Sequence, residues 1–475
     1  MERNIDRATL TGFLTAHAAG ENVSFHMPGH KGRRLFDEAG MGPVLDRLAD
    51  MDITEIEGAD NLFEAESVIR SVMDRYKALY RAKESFLLVG GSSAGILAAI
   101  MTAVPRGGRI IVASNCHKSA VNGMLLAGAV PHYVSPALLP EAPISGPVTP
   151  EAIERAVREV PEAKAVYLTS PNYYGIMRDI RSIAEIAHRA GMALIVDQAH
   201  GAHLTLMGDP YDACAGGADA VIMSTHKTLA SFTQTAVACL YGDRIDADRF
   251  AECLQMIESS SPSYILMASL DLNAALLEER GEALAAAWRE ELARFYGAAE
   301  GIEGLKVLRH PMHDLTKINM DMRALGLTGL DLSAALRDYG IFTELEVGTI
   351  SMGMTGIGNR REDYDRLLAA LADIAEQQRR RGAGPLPKEE GTASPLLYEH
   401  RNVTAIPESR EKVHWTEAAG RISAMAVIPY PPGIPLLVPG EVMDEEALAY
   451  AASLRAAGVK VIGVDAQGFV FAGKK

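Results

Sequence analysis

Seven short apolar runs alternate with helix-patterned stretches between residues 66 and 242, and this alternation constrains the fold more than any other feature of the chain. The runs are FLLV (86–89), RIIVA (109–113), AVPHYV (129–134), KAVYLT (164–169), ALIVD (193–197), AVIMST (220–225) and AVACLYG (236–242). Each lacks the polar alternation of a half-exposed strand, so both faces must be covered. Stretches such as PEAIERAVREV (150–160) and RSIAEIAHRAG (181–191) carry apolar residues at helical spacing. Strand, helix, strand in this order predicts βαβ units around a largely parallel sheet, an α/β architecture.

At 475 residues the chain exceeds what one core can hold. The pattern divides it into an N-terminal segment (1–50), a large α/β domain (51–290), a smaller α+β domain (291–380) and a C-terminal α/β domain (381–475). An Ala-, Leu- and Glu-rich helical stretch from Asp271 to Gly301 joins the first two domains. RRRGAGPLPKEEG (379–391) reads as a linker, and YPPGIPLLVPGE (430–441) as a rigid extended loop.

With 46 Lys and Arg against 61 Asp and Glu, the formal net charge is −15. That balance disfavours nucleic acid or an anionic membrane as a partner. The run from Phe86 to Val104 is uncharged, but its centre is GGSSAG (90–95), so it reads as strand, turn and buried helix rather than a membrane span. The first residues lack the apolar stretch of a secretory signal, and Cys116, Cys214, Cys239 and Cys253 form no C-x-x-C pair. A cytoplasmic protein with reduced thiols is the expectation.

Three segments can carry chemistry. GGSSAG joins a strand to a helix with residues small enough for backbone N–H groups to approach a phosphate. In IVDQAHGAH (195–203), Asp197 ends a strand where a parallel sheet opens its ligand crevice. A metal reading of Asp197, His200 and His203 lacks a further ligand, so no metal is expected. In STHKTL (224–229), Lys227 follows a buried strand among small hydroxyl residues and His226, and a desolvated lysine is a Schiff-base nucleophile. A phosphate cradle, an anion and an amine, in that order, are what pyridoxal 5′-phosphate requires.

Together FHMPGHKG (25–32), DITEIEGADNL (52–62), GSSAG, SNCHKSAVNGMLLAGA (114–129), TSPNYYG (169–175), VDQAHGAH, STHKTL with FTQTA (232–236), and YPPGIPLLVPGE resemble the ornithine/lysine/arginine decarboxylases, in their short bacterial form. The resemblance spans residues 5 to 470 in the same order. It implies the fold type I of pyridoxal-phosphate enzymes, shared with aspartate aminotransferase. It also implies Lys227 as the Schiff-base lysine, Asp197 beside the pyridine nitrogen and His117 on the ring face. The phosphate would be held by Ser92, Ser93, Ala94, Ser224 and His226. His200 would lie near the imine, and His226 would serve as a proton donor.

The implied reaction is decarboxylation of a basic amino acid, arginine ahead of lysine and ornithine, by a homodimer or higher oligomer whose FHMPGHKG segment reaches a neighbouring site. Glu344 and Glu346 are the candidates for the cationic end of the substrate. Gln198, Asn172, Asn61 and Phe63 depart from the family's usual residues, and Gln198 is expected to remove a charge near the site. Two alternatives stay open: an aminotransferase or β-eliminating lyase, with Arg360 or Arg361 as carboxylate clamp, and a catalytically silent protein that binds the coenzyme.

Overall fold

A computed structural model describes residues 9–474, except 140, 141, 143, 387–402, 404, 405, 408, 431–434 and 457. In chain order the main strands are β1 (Val23–Phe25), β2 (Glu84–Leu88), β3 (Arg109–Ala113), β4 (Val130–Val134), β5 (Ala165–Thr169), β6 (Ala193–Asp197), β7 (Ala220–Met223) and β8 (Ala236–Leu240). Strands β2 to β8 form one seven-stranded sheet in the order β2-β8-β7-β6-β5-β3-β4. Only β8 runs against the others, pairing antiparallel with both β2 and β7. All seven apolar runs are therefore strands. The run at 220–225 ends early because Thr225–Thr228 turns into a short helix carrying Lys227.

The alternation of side chains along β5 shows why these strands are apolar throughout. Val166 and Leu168 enter one buried cluster, while Ala165 and Tyr167 enter the other on the opposite face. Parallel strands end together, so the loops after β3, β5, β6 and β7 converge on one rim, and most residues singled out above lie on that rim.

The helix Tyr264–Ala299 leads into a second, antiparallel sheet of β9 (Lys306–Val307), β10 (Lys317–Asp321), β12 (Leu345–Val347) and β13 (Ile350–Met354), ordered β12-β13-β10-β9. Strand β11 (Ile341–Thr343) instead pairs in parallel with β1 near the N-terminus. FHMPGHKG follows β1 directly, so this pairing places it between the two sheets. Gly29 N–H donates to the His226 carbonyl at 2.7 Å, and Gly358 N–H donates to Gly29 O at 3.0 Å. A Cβ on Gly29 would lie 2.4 Å from the Thr228 carbonyl carbon. The segment thus buttresses the Lys227 loop of its own chain.

The C-terminal strands β14 (Arg410–His414), β15 (Ile428–Tyr430), β16 (Lys460–Ile462) and β17 (Phe469–Gly473) form two antiparallel pairs over a separate apolar cluster. Residues 431–434 of YPPGIPLLVPGE lie outside the described residues. In the remainder Leu436 and Leu437 join the C-terminal cluster, whereas Val438 joins the cluster of the seven-stranded sheet. The segment is therefore a tether between two cores. Among the described residues no helix is long and apolar enough to cross a membrane.

Two glycines separate close approach from plain helix geometry. Gly29→Ala forces the N-terminal segment off the Lys227 loop and is expected to lower the unfolding free energy by about 3 kcal/mol, the upper end for overpacking. Gly297 lies in the long helix with nothing within 4 Å of an added Cβ. Gly297→Ala should stabilise by about 0.5–1 kcal/mol. Urea unfolding of both variants measures the two effects, and equal shifts would contradict the packing described.

Candidate active site

Lys227 sits partly buried at the rim, its Nζ 2.8 Å from Nε2 of His200. Burial pushes its pKa down from 10.5 to about 8, against the opposing pull of Asp197 and Glu344. His200 is buried, and burial followed by the charge of Lys227 holds it well below the usual histidine range. The imidazole is therefore neutral. Its Nδ1 is buried without a hydrogen-bond partner, an open polar position beside the amine.

Asp197 ends β6 at 2% exposure. It accepts hydrogen bonds from the Tyr167 hydroxyl at 3.0 Å and the Ala199 N–H at 3.0 Å. Burial raises its pKa, while Lys227 and these donors oppose the rise. A cation placed beside it would favour the ionised carboxylate further.

The helix Gly91–Ala103 begins at the same rim with no side chain capping its first turn. Gly91 has φ +77°, which lets the chain turn into the helix, and a Cβ there would press on Gln234 O at 3.2 Å. Ser224 Oγ donates to Ser92 Oγ at 2.8 Å, and Ser93 is exposed beside it. Gln234 of FTQTA braces the turn by donating to Val89 O at 2.6 Å.

His117 caps the helix Lys118–Ala127, its Nδ1 accepting from Ser119 N–H at 3.2 Å. Burial, then Lys227, lowers its pKa to about 4. His226 Nδ1 lies 2.6 Å from the Thr235 carbonyl and must carry the proton there, which leaves Nε2 as the unprotonated nitrogen. Burial holds it near 4 as well. The set of an uncharged-prone amine, a buried carboxylate, an uncapped helix start with hydroxyls and an open imidazole nitrogen fits the aldehyde, ring nitrogen and phosphate of pyridoxal phosphate.

The two sequence-derived glutamates separate. Glu344 accepts from the Met27 N–H at 2.9 Å and from the Tyr173 hydroxyl at 2.8 Å. The Tyr173 ring lies 4.6 Å from that of His200, so Glu344 joins the Lys227 cluster through one aromatic residue. Glu346 lies on β12, paired in register with Ser351, and no hydrogen bond among the described residues ties it to that cluster. Arg360 pairs with Glu38 at 2.6 Å and Arg361 with Glu291 at 3.9 Å, so neither clamps a group beside Lys227.

Gln198 does not face the amine. Its amide donates to Asp212 Oδ1 at 2.8 Å and accepts from Ala213 N–H at 2.9 Å, anchoring a loop behind β6. The expected loss of charge at the site is thereby corrected, because adjacent residues leaving a strand point to opposite sides. Asn172 orders its own turn by accepting from Tyr174 N–H and Ile176 N–H. Asn61 caps the short helix Leu62–Glu64 through Phe63 N–H. Phe63 lines a cavity of about 420 Å³ with Leu62, Arg70, Met73, Leu254 and Glu258, whose lining does not include Lys227.

Sequence reading missed a buried cluster beneath Lys227. Lys317, at 0% exposure, donates to Asp314 Oδ2 at 3.0 Å and to the His200 carbonyl at 3.2 Å. Asp314 also contacts His203 Nε2 at 3.2 Å, and His203 Nδ1 reaches Thr228 Oγ1 at 3.2 Å. Lys31 was missed too. Its ammonium donates to His26 O and to Met354 O, pinning FHMPGHKG to β13. The lysine at the start of a buried strand run, KINMD, was the one available signal for Lys317.

Comparison with known proteins bears on this geometry. Residues 8–312 match the family model described as "Orn/Lys/Arg decarboxylase, major domain" and residues 397–469 match "Orn/Lys/Arg decarboxylase, C-terminal domain". The chain is 32% identical over 465 residues to a Bacillus subtilis protein named arginine decarboxylase, covering 95% of this chain and 94% of that one. It is 24% identical to lysine decarboxylase LdcA of Pseudomonas aeruginosa, covering 91% and 73%. Among solved structures, lysine decarboxylase A from Pseudomonas aeruginosa superposes with a TM-score of 0.76 at 19% identity, covering 98% and 80%. A ureidoglycine-glyoxylate aminotransferase from Bacillus subtilis superposes at 0.57 with 17% identity, covering 73% and 92%. The fold is that of the type I pyridoxal-phosphate-dependent enzymes.

The placement of Gln198 yields a stability test. Gln198→Glu sets a second carboxylate against Asp212, expected to cost about 1–3 kcal/mol at neutral pH. The introduced group's folded pKa would be raised above its unfolded value. The penalty therefore grows as pH rises through the unfolded value and is complete above the folded one, so it shrinks on acidification. Urea unfolding at neutral and mildly acid pH checks the sign. A penalty that did not shrink in acid would place the side chain elsewhere.

Proposed function

The chain belongs to the Orn/Lys/Arg decarboxylase family, and from that premise we propose that it removes the α-carboxylate of a basic L-amino acid as CO2, with arginine the preferred substrate. The observation that carries this reading is the Lys227 amine held against neutral His200, with the Asp197 carboxylate on the same rim. Arginine is preferred over lysine and ornithine because near-full-length relatives from Bacillus subtilis and Halalkalibacterium halodurans, at 32% and 30% identity, bear the name arginine decarboxylase. The guanidinium also has the planar donor pair that suits a carboxylate such as Glu344.

Lys227 would hold pyridoxal 5′-phosphate covalently, Asp197 would face its ring nitrogen, His117 its ring, and Ser92, Ser93, Ala94, Ser224 and His226 its phosphate. The coenzyme, when bound, supplies an electron sink for the pair left on Cα as CO2 departs. The remaining tasks fall to the chain. Lys227 has an appreciable uncharged fraction near neutrality, which a nucleophilic amine requires. His200 Nε2 lies 2.8 Å from Lys227 Nζ, within reach to relay a proton to or from the amine without holding it. Neutral His226, with Nδ1 tied to Thr235, offers Nε2 as a second proton carrier toward the rim. Its low pKa makes it a relay rather than a standing acid.

Glu344 would receive the cationic end of the substrate, its position fixed by Met27 N–H and Tyr173. The burial that disfavours the ammonium form of Lys227 also disfavours a charged α-carboxylate beside it and favours neutral CO2. A cytoplasmic homodimer is the proposed working form.

Incubation of the purified protein with arginine, lysine and ornithine separately, with the amines identified by mass, tests the reaction. Agmatine from arginine is expected, and a keto acid in place of an amine would sink the proposal. Lys227→Ala should abolish turnover and the coenzyme mass retained after borohydride reduction. Because only the unprotonated amine reacts, the rate of coenzyme uptake should climb as pH rises through about 8 and level above it. Glu344→Gln should raise KM for arginine roughly 10- to 100-fold, the worth of a charge-assisted hydrogen bond. Glu346→Gln serves as the comparison, with KM little changed.

A further inference from the structure

Lys317 is fully buried and set behind the amine that the proposed reaction needs. It opens β10 in the second sheet, yet it reaches the rim of the first. Its Nζ contacts Asp314 Oδ2 at 3.0 Å, Thr316 Oγ1 at 3.1 Å and the His200 carbonyl at 3.2 Å. The stem is gripped by TSPNYYG: a Cβ on Gly175, which has φ +91°, would lie 2.9 Å from Lys317 Cγ. Gly175 O also accepts from Asp314 N–H at 2.8 Å. His200 thus bridges two lysines, its backbone on Lys317 and its ring on Lys227.

We propose that Lys317 is a positioning residue for the reactive amine: it fixes His200 from behind and presents a second buried positive charge to Lys227. The inference rests on Lys227 being that amine. A buried ion pair of this kind is a poor source of stability, since desolvation of both charges offsets their attraction. Its value lies in where it puts the charge. Lys227 is faced by Asp197 and His200 from β6 and its following loop, by His226 on its own turn, by His117 at the start of the helix Lys118–Ala127, by Glu344 beside β12 and by Lys317 from β10. Asp197 and Glu344 both favour the ammonium form of Lys227, and the neutral histidines add no formal charge. Burial is the main opposition, and Lys317 adds to it.

Lys317 is faced in turn by Asp314 and His203, and its charge is also felt at Lys31. Asp314 would be pushed up by burial, but Lys317 and His203 hold it well below the usual carboxylate range, so its carboxylate stays ionised. Asp314 contacts His203 Nε2 at 3.2 Å on its other oxygen.

The test reads the amine without the coenzyme. Full-length protein freed of coenzyme is acetylated in brief pulses across a pH series, and the Lys227 peptide is quantified by mass. In Asp314→Asn/Lys317→Gln, which removes both charges together, the Lys227 midpoint should rise by about one pH unit, a roughly tenfold loss of reactive amine at fixed lower pH. Lys317→Arg should restore the native midpoint. An unmoved or lowered midpoint in the folded double variant overturns the proposal.

If that variant fails to fold, Lys317→Met substitutes, where unpaired Asp314 shifts the midpoint upward as well, and the same null result is decisive. Failure here leaves coenzyme attachment to Lys227 intact, whereas failure of the functional reading appears as retained coenzyme mass in Lys227→Ala.

Discussion

An amine that must be uncharged to react, placed where charge is costly, is the constraint that organises this molecule. Burial disfavours the ammonium form of Lys227, but the carboxylates of Asp197 and Glu344 both pull the other way. The chain meets this conflict by keeping every nearby imidazole neutral. His117 and His226 are held near 4 and His200 well below its usual range, so none competes as a cation or protonates out of turn. Each ring is also fixed by one nitrogen, His117 on Ser119, His226 on Thr235, His200 on Lys227. The geometry of proton movement follows from which nitrogen remains.

That arrangement needs the two sheets to be registered against each other. The β1–β11 pair inserts the N-terminal segment between them, and the contacts of Gly29 with His226, Thr228 and Gly358 leave no room for a side chain. The short glycine-rich segment thereby transmits the position of the second sheet to the Lys227 loop. Lys31 and Glu344 fasten it at either end, one through carbonyls, the other through the Met27 N–H.

The sheet and the residues at strand ends on the rim were legible in the sequence because they depend on local pattern. All seven strands announce themselves by apolar runs, and Lys227, Asp197 and Ser92 sit where strands and helices change over. What the sequence could not convey is the direction in which neighbouring side chains leave the rim. Gln198 is adjacent to Asp197, yet it serves a loop behind the sheet. Glu344 and Glu346 look equivalent two residues apart, but only Glu344 has Tyr173 and the N-terminal segment brought to it by other elements. The Lys317 cluster was invisible for the same reason, since its members come from β10, the loop before it and the loop after β6.

The departures from the family's usual residues can now be sorted by what they touch. Asn172 holds the turn that carries Tyr173, Asn61 caps a helix, and Phe63 lines a cavity apart from the amine. None contacts Lys227, His200 or Asp197. Of them, Asn172 is linked to Glu344 through the turn that carries Tyr173. Substrate length would then be read as the span from Lys227 to Glu344, a distance set jointly by the turn after β5 and by the strand entering β12. If Glu344 receives the substrate as proposed, moving one sheet against the other or rebuilding that turn would change the span while the amine and its neutral histidines stay as they are.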